Sequence, residues 1–439
     1  MLDQTSQWYK LQYPECFVDE ELRMMQKTLA DFVDKEIMPV RDKIDDDVTH
    51  EEVITPILKK LQAGLGYQKN LIPKDYGGNE MLSMVGAALR QEQMSRADYG
   101  ISLHSACTDW GWTPAAVAYF PPFSSSPAAK AWAEAVFGEF APKFVGNELH
   151  VACLNMSETE SACDIENPLN EGRTVKVRAK LDGNEWVING TKFWASNSGI
   201  ADLNCVVCNM DPKLGIDAFA LIYVPEPWPG VSHGKFEVKC GVQADRNTST
   251  YFDDVRVPKE WGLQGLEAWA IFQKALSCPM SLNTANAVGT LQGAFDTLLE
   301  YTGQRVVGGK PLNQHLSTAM ILGEMASLIT VGRAAFLELA HEYDHIDIYG
   351  QWDTESIIAK GHAVHAFITR TVPDLISKGM ELMGSFGYVR ENHYEKYYRD
   401  AACIKLVLGG SHLGYFDVCK QFYDLDFSSF GPGKLQKPA

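Results

Sequence analysis

A carboxylate and an imidazole lie close together in Gly100-Ile-Ser-Leu-His-Ser-Ala-Cys-Thr-Asp109. On a helix, His104 stands about one turn before Asp109 and is expected to share its side roughly. A carboxylate desolvated among apolar groups is a general base, whereas one left in water before Trp110-Gly-Trp-Thr-Pro is a capping group. His412 offers a further acid–base group, with plain packing as its alternative. Cys205-Val-Val-Cys208 has the spacing of a redox pair or half a metal site. It lies in an apolar run with no second pair or His pair to complete a tetrahedron, which fits core thiols on a strand. Arg305 presents a guanidinium suited to bidentate phosphate contact, or else marks an exposed helix end. Gly384-Ser-Phe-Gly supplies backbone N–H groups that either cap a helix or meet an anion. Trp194, taken alone, fits a core aromatic.

These residues sit in a chain of 439 residues, long enough for two or three domains. Its 46% hydrophobic content is that of a soluble globular protein. The net charge of −17 and pI near 5.1 oppose nucleic-acid binding, which needs a cationic footprint. Ten scattered cysteines fit a reducing cytoplasm, and Met1-Leu-Asp-Gln-Thr has no signal-peptide pattern. No apolar run approaches the roughly 20 residues that span a bilayer, so no membrane partner is expected.

Apolar positions recur at helical spacing over residues 17–39, 51–61 and 81–94, and residues 128–144 form one more helix. Residues 1–148 therefore make a helical domain, with an aromatic-rich loop expected at 108–126. Short alternating segments follow at 174–179, 185–188, 204–209, 218–224, 236–238 and 249–257, bounded by Asp-Gly, Asn-Gly and Pro-Gly. They predict an antiparallel, barrel-like β domain over 149–264. Helical periodicity returns at 268–301, 314–341, 354–383 and 401–422, predicting a C-terminal four-helix bundle over 265–439 with a loose tail. The fold class is α+β in the order α–β–α.

The chain resembles the acyl-CoA dehydrogenase family over about residues 15–425. The resemblance rests on Ile72-Pro-Lys-Asp-Tyr-Gly-Gly78, Trp186-Val-Ile-Asn-Gly-Thr-Lys-Phe-Trp-Ala-Ser-Asn197, Phe252-Asp-Asp-Val-Arg-Val-Pro258, Gly384-Ser-Phe-Gly-Tyr388 and Arg399-Asp-Ala401. It implies FAD as cofactor, with Trp194 covering the flavin ring and the Ser196 hydroxyl near N5. Ser157 would meet the pyrimidine edge, in Asn155-Met-Ser-Glu-Thr-Glu-Ser-Ala-Cys-Asp164, where Glu160 and Ala162 replace the family's glycines. Arg305 would hold the pyrophosphate of an adjoining subunit's FAD, with Gly384 and Ser385 on the same nucleotide. Gly410 and His412 would stand beside the flavin. A homotetramer and an electron-transfer flavoprotein as acceptor are also implied.

The family's usual base is a glutamate seven residues after the first alanine of its Arg-Asp-Ala phrase, and here Leu408 stands there in Val407-Leu408-Gly409-Gly410. Leucine accepts no proton, but the backbone N–H at 408, beside Gly409, remains to polarise a thioester carbonyl. A second location known in the family falls at Pro279-Met280, also not ionisable. Relatives acting on cyclic carboxyl-CoA thioesters place an Asp near Asp109, with His104 close to the substrate. The expected activity is FAD-dependent desaturation of a cyclic or bulky acyl-CoA. A flavin-dependent monooxygenase and a non-catalytic flavoprotein are the alternatives.

Overall fold

The computed structural model describes residues 6–123, 126–166 and 170–422. Helix α1 (Glu20–Phe32) begins where the Asp19 carboxylate accepts the Leu22 N–H at 2.9 Å, and it unwinds through tighter and wider turns around Pro39. Helices α2 (Met84–Ala97) and α3 (Tyr99–Tyr119) are buried nearly all round, as helices inside a core must be, and α4 (Pro127–Phe144) covers them. The loop expected from residue 108 is instead the second half of α3. Pro114 does not stop it, because Trp112 stacks on Phe137 of α4 with ring centroids 5.5 Å apart. Burial of that aromatic cluster outweighs the breaker signal.

The middle unit is a sheet of eight strands: β1 (Ala152–Asn155), β2 (Arg178–Asp182), β3 (Glu185–Ser196), β4 (Leu203–Asn209), β5 (Phe219–Pro225), β6 (Val231–His233), β7 (Asn247–Pro258) and β8 (Gly262–Gln264). The order is β6-β7-β3-β2-β4-β5-β8, with β1 on β4. Two expectations need correction. The pairing is not purely antiparallel, since β1 lies parallel to β4, and the path ends at β6 and β8 without those two pairing. Residues 236–238 form no strand; the Phe236 ring takes the Arg246 guanidinium at 4.0 Å instead. Cys205 and Cys208 lie buried and unpaired on β4.

The helices after the sheet are α5 (Leu266–Ser277), α6 (Pro279–Gln304), α7 (Leu316–Asp344), α8 (Glu355–Met383), α9 (Tyr394–Ile404) and α10 (Gly410–Cys419). The single helix expected at 268–301 is divided at Cys278, because Pro279 takes the first position of a new helix, where its missing N–H costs nothing. The segment 401–422 is divided too. Leu408, Gly409 and Gly410 have φ of 57°, 69° and 65°, a left-handed run that no helix can contain. Helix α7 is, contrary to expectation, long and apolar enough by composition to cross a membrane. It lies in the bundle, and its midpoint carries the buried Arg333, which bonds Glu92 of α2 at 2.6 Å and the Gln12 side chain at 2.8 Å.

That ion pair joins the C-terminal bundle to the N-terminal domain, and the other Glu92 oxygen accepts from the Tyr13 hydroxyl at 2.9 Å. Removing one charge strands the other in a low dielectric. Glu92→Gln is expected to lose about 3–5 kcal/mol of stability, measured by denaturant unfolding; a change under about 1 kcal/mol would mean the pair is not the clamp between domains.

Candidate active site

Helices α2, α3 and α6 and the turn after α9 enclose an apolar cavity of about 1090 Å³, its open mouth included. Asp109 and Leu408 both line it, as does Pro279. Asp109 is one of few ionisable groups on this wall, its side chain 15% exposed, and it is paired with the Arg90 guanidinium from α2. Burial raises its proton affinity above the usual carboxylate range, opposed by the Arg90 charge and by the hydrogen bond from Arg90. Of the aromatics expected here, Trp110, Phe120 and Phe123 line the cavity, whereas Trp112 packs against Phe137 and Phe144, and Tyr119 against Tyr76.

The second arrangement is the end of β3. A register shift between Phe193 and Ala195 against β7 leaves Trp194 bulged outward with φ 60°. Its ring is 50% exposed, stacked only on Phe193 at 4.3 Å, and presents a free aromatic face. Two residues on, the Ser196 hydroxyl donates to Asp245 at 2.9 Å, and its nearness to the Cys107 thiol, which lines the cavity from α3, opposes the burial that pushes that thiol up. The bulge and the Asp109 cavity are therefore two sides of one site. Ser157 is tied to the same strand, its carbonyl accepting from the Phe193 N–H at 2.9 Å. Below it the buried Lys192 ammonium donates to Glu158 at 2.7 Å and to the Met156 carbonyl at 2.8 Å. Glu160 and Ala162, where the family has glycines, adopt no left-handed backbone, so their side chains cost no strain.

Asn197 locks strand to helix. Its side-chain amide donates to the carbonyls of His104 and Ala152, both at 3.1 Å, and to the Thr108 hydroxyl at 3.3 Å. A flat cofactor laid on Trp194 would thus be held at fixed depth relative to Asp109. The exposed aromatic face, the Ser196 and Ser157 polar groups and the glycine backbone at Gly409 and Gly410 fit a planar ring system with hydrogen-bonding edges.

Not every expected residue gathers here. His104 does not share the Asp109 side: it lies fully buried, lining a different cavity with His50 and Arg246, and neither ring nitrogen has a partner among the described residues. Burial holds it neutral, its pKa lowered to about 3. Five residues turn a helix by 500°, which puts the two side chains on different faces. His412 is exposed on α10, and Arg305, Gly384 and Ser385 are exposed on the outer side of the bundle, away from the cavity lining. Two partners of the site carried no sequence signal. Arg90 lies on another helix, and Glu166, close to Gly409, lies in a stretch without a recognisable pattern.

Because three buried acceptors share the Asn197 amide, Asn197→Ala is expected to cost about 2–4 kcal/mol in denaturant unfolding. Unchanged stability would show that the strand and α3 are held together by other contacts.

Comparison with known proteins follows this geometry. Residues 19–119 match the acyl-CoA dehydrogenase N-terminal domain, residues 153–255 the middle domain and residues 269–413 the C-terminal domain. Cyclohexane-1-carbonyl-CoA dehydrogenase of Syntrophus aciditrophicus (strain SB) is 26% identical over 407 residues, covering 92% of this chain and 97% of the relative. Cyclohex-1-ene-1-carbonyl-CoA dehydrogenase of Geobacter metallireducens is 25% identical, over 90% of this chain and 96% of the relative. The structure of butyryl-CoA dehydrogenase from Megasphaera elsdenii superposes with a TM-score of 0.78 at 19% identity, covering 92% of this chain and 98% of that one. FAD is the cofactor of this family. Three domain matches in order, on a fold of the same three units, place the chain in the acyl-CoA dehydrogenase family.

Proposed function

We propose that the protein desaturates the acyl group of a cyclic or otherwise bulky CoA thioester, with Asp109 as the base. The observation that carries this reading is that Asp109 and Leu408 line one apolar cavity. The residue that has lost the usual carboxylate thus faces a carboxylate supplied from α3. Aromatic walls at Trp110, Phe120 and Phe123 suit a broad ring. Support for the substrate class comes from the two relatives whose names specify cyclic carbonyl-CoA thioesters.

In this reading the acyl group enters the cavity and its thioester carbonyl accepts the Leu408 N–H, which acidifies the adjacent carbon. The Asp109 carboxylate takes the proton from that carbon. Arg90 holds Asp109 in place and opposes the desolvation that favours its acid form. Trp194, Ser196, Ser157 and, from a neighbouring subunit, Arg305 would hold FAD, which would supply the hydride acceptor. Exposed apolar side chains near Arg305 and Gly384, among them Val306, Val307, Phe386 and Tyr388, fit burial in a homotetramer or dimer. An electron-transfer flavoprotein fits as the final acceptor.

Mixing the protein with cyclohexane-1-carbonyl-CoA without oxygen is expected to bleach the flavin absorbance. Asp109→Asn is expected to keep FAD and bind the thioester, with reduction slowed roughly 10²–10⁴-fold. Since the base must be ionised and its pKa is raised, the wild-type rate should fall as pH drops through a value above the ordinary Asp figure of about 3.9. No bleaching by any CoA thioester would favour a non-catalytic or oxygen-using flavoprotein, and parental reduction by Asp109→Asn would make Asp109 structural.

A further inference from the structure

Leu408 also lines a second, smaller pocket, and it is the one residue the two linings share. The leucine is thus a partition, with the Asp109 cavity on one side. On the other side lie Gln273, Ser277 and Met280 from α5 and α6, His362 from α8, Asp417 from α10, and Glu166. Glu166 ends the short turn Cys163–Glu166, and its Oε2 stands 2.8 Å from where a Cβ on Gly409 would be. A side chain at 409 would press on that carboxyl and on Leu413, and the φ of 69° there also favours glycine.

The other charged groups around it are matched. His362 Nε2 and Asp417 lie 3.1 Å apart, and Lys420 reaches Asp417 at 2.6 Å. Despite burial, those two contacts hold Asp417 below the usual carboxylate range. Among the described residues, Glu166 has no such cation. Burial first, then the charges of Asp164 on its own turn and Asp417 on α10, raise its pKa to about 8. Among the described residues, burial and those two like charges alone set its proton affinity, with no hydrogen bond to its carboxyl. Near neutral pH the pocket therefore holds an unused O–H donor aimed at the space behind Leu408.

This inference rests on the reading given under Proposed function. With the acyl group in the first cavity and the thioester carbonyl at the Leu408 N–H, the arm beyond the sulfur must leave through space that meets Leu408 on its other face. That arm carries amide carbonyls. We propose that Glu166 is a recognition residue for the CoA arm, its carboxyl O–H donating a hydrogen bond to an amide carbonyl in the pocket behind Leu408. The residue acts on binding of the arm and is indifferent to the acyl group.

The test uses FAD-loaded full-length protein and S-ethyl-coenzyme A, a thioether with the arm but neither a thioester carbonyl nor a group to desaturate. The wild-type Kd is expected to weaken about tenfold from pH 7 to pH 9, as a donor titrating near 8 is lost. Glu166→Gln keeps a donor without a titrating proton, so its Kd should stay within about threefold of the wild-type pH 7 value and remain flat. Glu166→Ala should bind roughly tenfold more weakly at pH 7, the effect of one hydrogen bond, and also remain flat, with flavin content unchanged. A flat wild-type profile, or pH dependence that persists in Glu166→Gln, would overturn the assignment. If S-ethyl-coenzyme A and CoA thioesters fail to bind the wild type at every pH, the acyl-CoA reading itself fails. Binding with normal flavin reduction but no Glu166 effect removes this inference alone.

Discussion

A carboxylate inside an apolar cavity is a contradiction that the Arg90–Asp109 pair resolves. In the proposed reading the apolar walls hold a hydrocarbon ring and exclude water, yet the same walls push a proton onto Asp109. A guanidinium from the neighbouring helix offsets that push while fixing the carboxylate's direction. The pair costs desolvation of two charges, and it is tolerable because α2 and α3 are themselves buried on nearly every face and cannot drift apart. Asp109 is thereby a fixed point, and the flavin strand is tied to its helix through Asn197.

Leu408 is the counterpart of that arrangement. A leucine at φ 57° is strained, of order 1 kcal/mol. The strain is held by a turn that continues into Gly409 and Gly410 and starts α10. A carboxylate at 408 would face Asp109 across an apolar space and meet the charges around Glu166 behind it. Leucine leaves the backbone N–H available at the border of the two pockets. In the proposed reading, the leucine at 408 and the carboxylate at 109 are one change seen from two sides.

What the sequence conveyed was what is local. The α–β–α order follows from apolar period and turn dipeptides, and the flavin strand from Asn-Gly between two runs of residues suited to strands. Strands β1 and β8 left no trace, because Ala-Cys-Leu-Asn is buried on both faces without alternation and β8 has only three residues. Pro114 signalled a loop that Trp112 and Phe137 overrule through contacts between separate helices. The proximity of Asp109 and Leu408 depends on α3 and the turn after α9, about 300 residues apart, and Arg90 and Glu166 reach the site the same way. His104 stands five residues before Asp109, and helical phase sets it on another face.

The central claim is that the proton leaves the substrate for Asp109, and isotope exchange tests it without requiring flavin reduction. Cyclohexane-1-carbonyl-CoA bound in D₂O should gain deuterium at the carbon next to its thioester, followed by NMR. The wild type is expected to catalyse the exchange, and Asp109→Asn to slow it by roughly 10² or more while binding the thioester equally. Exchange by Asp109→Asn at the wild-type rate would contradict the account and return the base to another residue of the site.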